Sequence, residues 1–255
     1  NYILDLSSIN RDLGLTNKAY KLCIKAIRLQ PESAYAYSIL GVIQRDLSNF
    51  VLAKKALLKA IEIDPNNAIY FLNLSAIYMD IGELENAEQM IRKSIYINPK
   101  SSEAHINLAN ILRDTGRINE SQISLEIAIS INPNLPIAYY ALSIVSDSSI
   151  KQEIYDHLFS EEILLGQSAI GLSHIYFARS NIKHKENNYT ESSIFLKKAN
   201  QFKASIYKPE SHSFIQKSKH LIQELSAVAD LKNNINLQNL NHIFIVGMPR
   251  SGSTL

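Results

Sequence analysis

The 255-residue sequence holds a single cysteine, Cys23. No intramolecular disulfide can form, which excludes the small stapled scaffolds of secreted proteins and fits a reducing compartment. Basic residues never run longer than pairs such as Lys54-Lys55 and Lys197-Lys198, and the formal net charge is only +2. The electrostatic footprint of a DNA or RNA binder is therefore missing, and no nucleic-acid partner is expected. No apolar stretch approaches the roughly 20 residues that cross a bilayer, because Lys, Asp, Asn and Glu interrupt the apolar positions at helical spacing. Together these absences lead us to expect a cytoplasmic protein without a membrane span. His157, His174, His184, His212, His220 and His242 show none of the short spacings that bring ligands onto one metal, so no metal site is expected.

What the chain does have is enough apolar content to fold, 46% against 20% charged, and a repeat. Pro31, Pro65, Pro99 and Pro133 are spaced by 34 residues, each preceded by Gln, Asp or Asn and by Leu or Ile. Small residues recur in the same frame, at Ala19 and Ala26, Ala53 and Ala60, Ala87 and Ser94, Ser121 and Ala128, where helices can approach closely. An aromatic or bulky residue, a leucine and a small residue mark the first half of each unit: Tyr37, Leu40, Gly41; Phe71, Leu74, Ser75; His105, Leu108, Ala109; Tyr139, Leu142, Ser143. Gly14, Gly82 and Gly116 separate the two halves, with Ser48 in that place in the second unit, as a left-handed residue ending a helix would. The pattern resembles the tetratricopeptide repeat. It implies antiparallel helix pairs over 1–145 that stack into a right-handed superhelix with a concave groove for a protein or peptide.

Within that frame most aromatic and leucine positions are packing positions, His105 included, and Cys23 is expected to be a small buried hydrophobe. Arg45, Asp46, Asp80, Arg113 and Asp114 recur in register on the groove side and read as a solvated charged face. Repeats that clamp a C-terminal carboxylate carry lysines where this chain has Ser38, Leu72 and Ile106, so that class of partner is not expected. The register fails between Ser143 and Ser168, and 146–168 is expected to be an irregular, acidic helical insertion. Residues 169–230 follow as a degenerate repeat and capping helix, and the Asn-rich 231–242 as a linker.

Beyond the linker the spacing changes to a continuous apolar run, Ile243, Phe244, Ile245, Val246, followed by Gly247, Met248, Pro249, Arg250, Ser251, Gly252, Ser253 and Thr254. This reads as a buried strand, a tight loop and a helix start. Two glycines let the backbone curl so that its amides point at an anion, the hydroxyls add donors, and Arg250 adds a planar charge able to grip two oxygens. The pattern nearly satisfies the ATP-binding phosphate loop, but Ser253 stands where its lysine should follow the second glycine. That departure disfavours an ATPase or kinase, which needs the lysine on the outer phosphates. An ordinary strand-to-helix turn and another kind of phosphate loop remain alternatives.

The string from Pro249 to Thr254 behind its apolar strand resembles the 5′-phosphosulfate loop of sulfotransferases, in particular the tyrosylprotein-sulfotransferase-like branch, whose bacterial members carry tetratricopeptide repeats ahead of it. Ser253 replaces the usual threonine and keeps the hydroxyl. The resemblance implies that Pro249, Arg250, Ser251, Gly252, Ser253 and Thr254 bind the co-substrate 3′-phosphoadenosine-5′-phosphosulfate, with Arg250 also stabilising charge on the transferring sulfonate and no metal needed. It implies an all-α repeat array followed, at 243–255, by the first strand and phosphate loop of an α/β domain that is truncated at Leu255. The general base and the 3′-phosphate site would lie further on, so this length of chain is expected to be inactive by itself. The alternative is a non-enzymatic, peptide-binding adaptor.

Overall fold

Each hairpin of the array begins and ends with local chemistry that the repeat unit supplies. The computed structural model describes residues 2–146 and 150–206. In order these form α1 (Tyr2–Asp12), α2 (Thr16–Leu29), α3 (Ala34–Asp46), α4 (Phe50–Ile63), α5 (Ala68–Asp80), α6 (Leu84–Ile97), α7 (Ser102–Asp114) and α8 (Ile118–Ile131). There follow α9 (Pro136–Val145), α10 (Gln152–Phe159), a short 3-10 turn (Glu162–Leu164), α11 (Ala169–Lys185) and α12 (Tyr189–Ile206). Three first helices start on a side-chain cap: Ser33 Oγ accepts from Ala36 N, Asn67 Oδ1 from Ile69 N and Ser101 Oγ from Ala104 N. The fourth, α9, instead places Pro136 in its first turn, where the missing amide is no loss.

Asp64, Asn98 and Asn132, one residue before their prolines, accept from the amides of Asn66, Lys100 and Asn134, so the turn between units is fixed by its own side chain. Inside the hairpins Gly14, Gly82 and Gly116 adopt φ of +73° to +78°, and Ser48 takes the same left-handed place at +60°. The next amide then reaches back five residues, as in Asn49 N to Gln44 O and Glu83 N to Tyr78 O, closing off the helix end.

The two helices of a hairpin cross at the small residues. Ser7 Oγ donates to Ala19 O at 2.7 Å and Ser75 Oγ to Ala87 O at 2.9 Å, while in the fourth unit the bond is reversed, Ser121 Oγ to Ala109 O at 2.7 Å. In the second unit Gly41 fills the place, and a Cβ there would meet Leu57 Cγ at 2.7 Å and Ala53 O at 3.2 Å. Around these crossings Leu57, Leu74, Ile77, Ile91, Ile111, Leu112 and Leu125 are essentially removed from water. Each such side chain contributes roughly 2 kcal/mol of burial. Cys23 is fully buried with Leu4, Ala19, Ile39 and Ile43, its thiol facing Ala36 O at 3.3 Å and pushed up to about 12 by burial, which suits a packing residue rather than a nucleophile.

After α8 the array is interrupted. α9 keeps the register of a first helix through Val145, and the break falls at the second half of the fifth unit. Among the described residues no second helix pairs with α9; α11 packs directly against it instead, and α11 and α12 then form a regular hairpin. The regular spacing returns there, with Ser180 Oγ donating to Ser192 O at 2.9 Å across twelve residues, as in the earlier units. Residues 150–168 provide the short α10 and the 3-10 turn, which insert Leu158 and Ile163 into the core that α8, α9 and α11 share. α12 runs to Ile206.

The described residues all lie in the unit Asn1–Ile206 and have the tetratricopeptide-type superhelical architecture, with no strand among them. Among the described residues no helix is long and apolar enough to cross a membrane, and no group of three His, Cys, Asp or Glu could hold a metal. The helix expected within 209–230, the linker 231–242, the strand 243–246 and the loop 247–254 lie outside the described residues.

Candidate functional site

Successive first helices touch one another, α1 with α3, α3 with α5, α5 with α7 and α7 with α9, while successive second helices do not come comparably close. The first helices therefore form the inner, concave row and the second helices splay outward. Two cross-unit contacts show which side of each first helix lies on that row. Asn73 Nδ2 reaches Ser38 Oγ at 3.4 Å, and Arg45 donates to both carboxylate oxygens of Asp80 at 2.5 and 3.2 Å. Residues at the spacing 35, 39, 42 and 45, and their equivalents 34 positions on, thus share the inner stripe.

The stripe is banded. At its N-terminal edge stand exposed apolar residues, Tyr35, Ile69 and Ile137, with Glu103 in the remaining unit. Along its middle lie the half-buried carboxamides of Asn73 and Asn107, one repeat apart, with Asn110 a turn further. Each carboxamide carries a donor and an acceptor, the complement of a peptide unit.

The C-terminal edge carries the charged residues singled out in the sequence, and the structure pairs them. Arg11 meets Asp46 and Arg45 meets Asp80, each bridging one unit to the next, while Arg113 closes on its neighbour Asp114 and on Asn110. The ladder stops at Met79, which stands where the third unit would need an arginine. Arg45 and Asp80 are about a third exposed, so the pair is worth only about 0.5 kcal/mol, and its geometry matters more than its energy: it fixes the angle between units. Ser38, Leu72 and Ile106, the places where a carboxylate clamp would need lysines, are buried and could not reach a ligand.

Family models of the tetratricopeptide repeat match residues 34–67, 56–89 and 102–135. Over those residues the hairpins are tetratricopeptide repeats. A comparison with curated proteins found no match. Among solved structures, the chain is similar to PilF of Pseudomonas aeruginosa, at 17% identity, with 86% of this chain and 96% of that chain covered and a TM-score of 0.60. It is also similar to MamA of Desulfovibrio magneticus RS-1, at 10% identity, covering 80% of this chain and 94% of that one, with a TM-score of 0.50. At such identities the likeness shows the tetratricopeptide fold alone.

The sequence also points to Pro249, Arg250, Ser251, Gly252, Ser253 and Thr254, all of which lie outside the described residues. His105 occupies the packing position expected of it, with Nε2 at 3.1 Å from Pro99 O. Two features of the tetratricopeptide array left no mark in the sequence reading. One is the inner Asn73 and Asn107, whose 34-residue spacing is a readable signal; the other is the group of side chains around α10, which has no counterpart in the repeat.

Proposed function

We propose that the inner face of α3, α5, α7 and α9 binds an extended segment of a partner polypeptide, and that the repeat array is a protein-interaction scaffold. The observation that carries this reading is the half-buried Asn73 and Asn107, repeated at the spacing of the unit between an apolar edge and a paired, charge-neutral edge. An extended peptide would set its backbone on the carboxamides and its apolar side chains on Tyr35, Ile69 and Ile137. The test uses peptides selected from a random-sequence display library on the whole chain. Asn73→Ala combined with Asn107→Ala should weaken those peptides at least tenfold at unchanged thermal stability, the loss of two hydrogen bonds. Wild-type affinity in the double variant would sink the assignment.

A second reading rests on the sequence from Gly247 to Thr254. In it the repeats precede a sulfotransferase domain of a cytoplasmic enzyme, Pro249 to Thr254 hold the phosphosulfate of 3′-phosphoadenosine-5′-phosphosulfate, and Arg250 stabilises charge as sulfonate passes to an acceptor hydroxyl or amine. The missing phosphate-loop lysine and the hydroxyl-rich loop support it. Retention of the full-length protein on immobilised 3′,5′-adenosine bisphosphate, abolished by Arg250→Ala, is the expected result; no retention of the unaltered protein would end this reading.

A further inference from the structure

The inner row continues past α9 onto α11. A Cβ on Gly171 would lie 3.2 Å from Pro136 Cγ, and Asn181 Nδ2 donates to Ser143 Oγ at 3.0 Å, so α11 runs alongside α9 in the same direction. The bond from Ser180 to Ser192 sets α11 in the frame of a first helix. His174, Ala178 and Asn181 then hold the places that Ile69, Asn73 and Ala76 hold in α5.

Along this row the wall changes its chemistry. In the places of Asn73 and Asn107 stand Ala141 and Ala178, both buried and without a polar side chain. On the flank where Ser38 meets Asn73, and where Leu72 and Ile106 are buried, Tyr140 and Phe177 are half-buried instead. Tyr140 stacks on His174 at 5.5 Å and meets Phe177 at 5.9 Å, so three rings from two helices form one patch, with exposed Ile137 a turn earlier on α9. Among the described residues nothing pairs with the Tyr140 hydroxyl, and unlike that of Tyr139 it is not buried. Lys203 Nζ, 5.9 Å from the centre of the Phe177 ring, adds a positive charge at the edge of the patch, which disfavours a cationic residue there.

A carboxamide meets both the N–H and the C=O of a peptide unit, whereas this patch offers a hydroxyl to the C=O and ring surface to the rest. A backbone N–H laid on that surface gives up water without the paired partner it had beside an asparagine. Proline escapes the loss. It has no N–H to desolvate, it keeps a carbonyl for Tyr140, and its ring packs on aromatic carbon in a polyproline II form that needs little ordering. We propose that the partner segment carries prolines where it crosses Tyr140, His174 and Phe177, next to an ordinary extended stretch on Asn73 and Asn107. This rests on the reading of the inner face as a peptide groove and adds to it the class of sequence that the groove selects.

The probes are the peptides selected from the random-sequence library on the whole chain, which should contain proline. Replacing that proline with alanine should raise Kd about tenfold, the cost of one buried amide without a partner. N-methylalanine, which also lacks the N–H, should recover most of the loss. In Tyr140→Leu combined with Phe177→Leu, which keeps the apolar bulk, the proline and alanine peptides should bind within about twofold of each other. The proposal is overturned if the peptides depend on Asn73 and Asn107 but lose nothing when proline becomes alanine, or if that loss is the same in the leucine variant. Either result leaves the peptide groove itself intact. Peptides indifferent to Asn73→Ala with Asn107→Ala would instead end the groove reading, and this inference with it.

Discussion

The hairpins α1 to α8 and the segment α9 to α12 use the same helical unit but hold it together with different chemistry. In the first region the contacts across each hairpin are made by residues with almost no side chain, Ser7, Gly41, Ser75 and Ser121, and charge stays outside the core, on the ladder and in pairs such as Arg117 with Glu88. In the second, long cations close helix ends, and one of them does so from the interior. Arg179, 3% exposed, donates to Leu158 O at 2.8 Å and Ser160 O at 2.6 Å, closing the end of α10, and lies over the rings of Phe159, Tyr176 and Phe195. Lys185 does the same for α9, donating to the carbonyls of Ser143, Ile144 and Ser146. A stack of aromatic rings, Tyr155 on Phe159 and Tyr176 on Phe202, covers what a second helix would have covered. The difference teaches what the missing helix supplied: when it is gone, carbonyl ends and apolar surface must be met by single side chains, and those side chains become individually important.

Removing one of them should give the largest effect. Arg179→Met keeps the length and apolar stem but leaves the carbonyls of Leu158 and Ser160 without donors, a cost of about 3 kcal/mol. Hydrogen exchange should accelerate across α10 and the 3-10 turn while α1 to α8 stay protected. Loss of protection spread evenly over the whole array would show that the two regions are not separate in their energetics.

A glycine substitution made once in each region sharpens the contrast. Gly41→Ala drives its Cβ against Leu57 Cγ and the Ala53 carbonyl, and should cost about 2 kcal/mol in chemical denaturation. Gly171→Ala meets chiefly the amide end of Gln167 at 2.8 Å, which can swing away, so its effect should stay within about 0.5 kcal/mol. Equal losses at the two sites would mean that the irregular region is packed as tightly as the regular one.

The smallest effect expected is one of pH. His174 sits between α11 and α9, its ring stacked on Tyr140 at 5.5 Å, and burial, then the charge of Lys203, holds its pKa below the ordinary histidine value. With the folded value lower than the unfolded one, the unfolded chain takes up the proton first. The stability this neutral ring contributes is thus present above about pH 6.5 and is lost as pH falls through that value. His174→Gln should flatten that part of the stability profile; an unchanged profile would locate the titration elsewhere.

Most of the regular array was legible because its determinants are local and repeat. Prolines 34 residues apart, the left-handed glycines with Ser48 among them, and paired small residues each specify a turn or a crossing within one unit. The broken unit was legible only as a loss of pattern. That α9 would accept α11 as its neighbour depends on Arg179 and Lys185, two cations that read as surface residues in a sequence. The inner asparagines were legible by spacing and were passed over because attention fell on the charges beside them.

Contacts between units reach one neighbour and no further, apart from the fused α9 to α12 segment. Stretched between its ends, such a molecule behaves as a spring of unequal coils. Under rising force the early hairpins should peel off one by one with small, evenly sized extensions, whereas the last four helices, clasped by Arg179 and Lys185, give way in a single longer step.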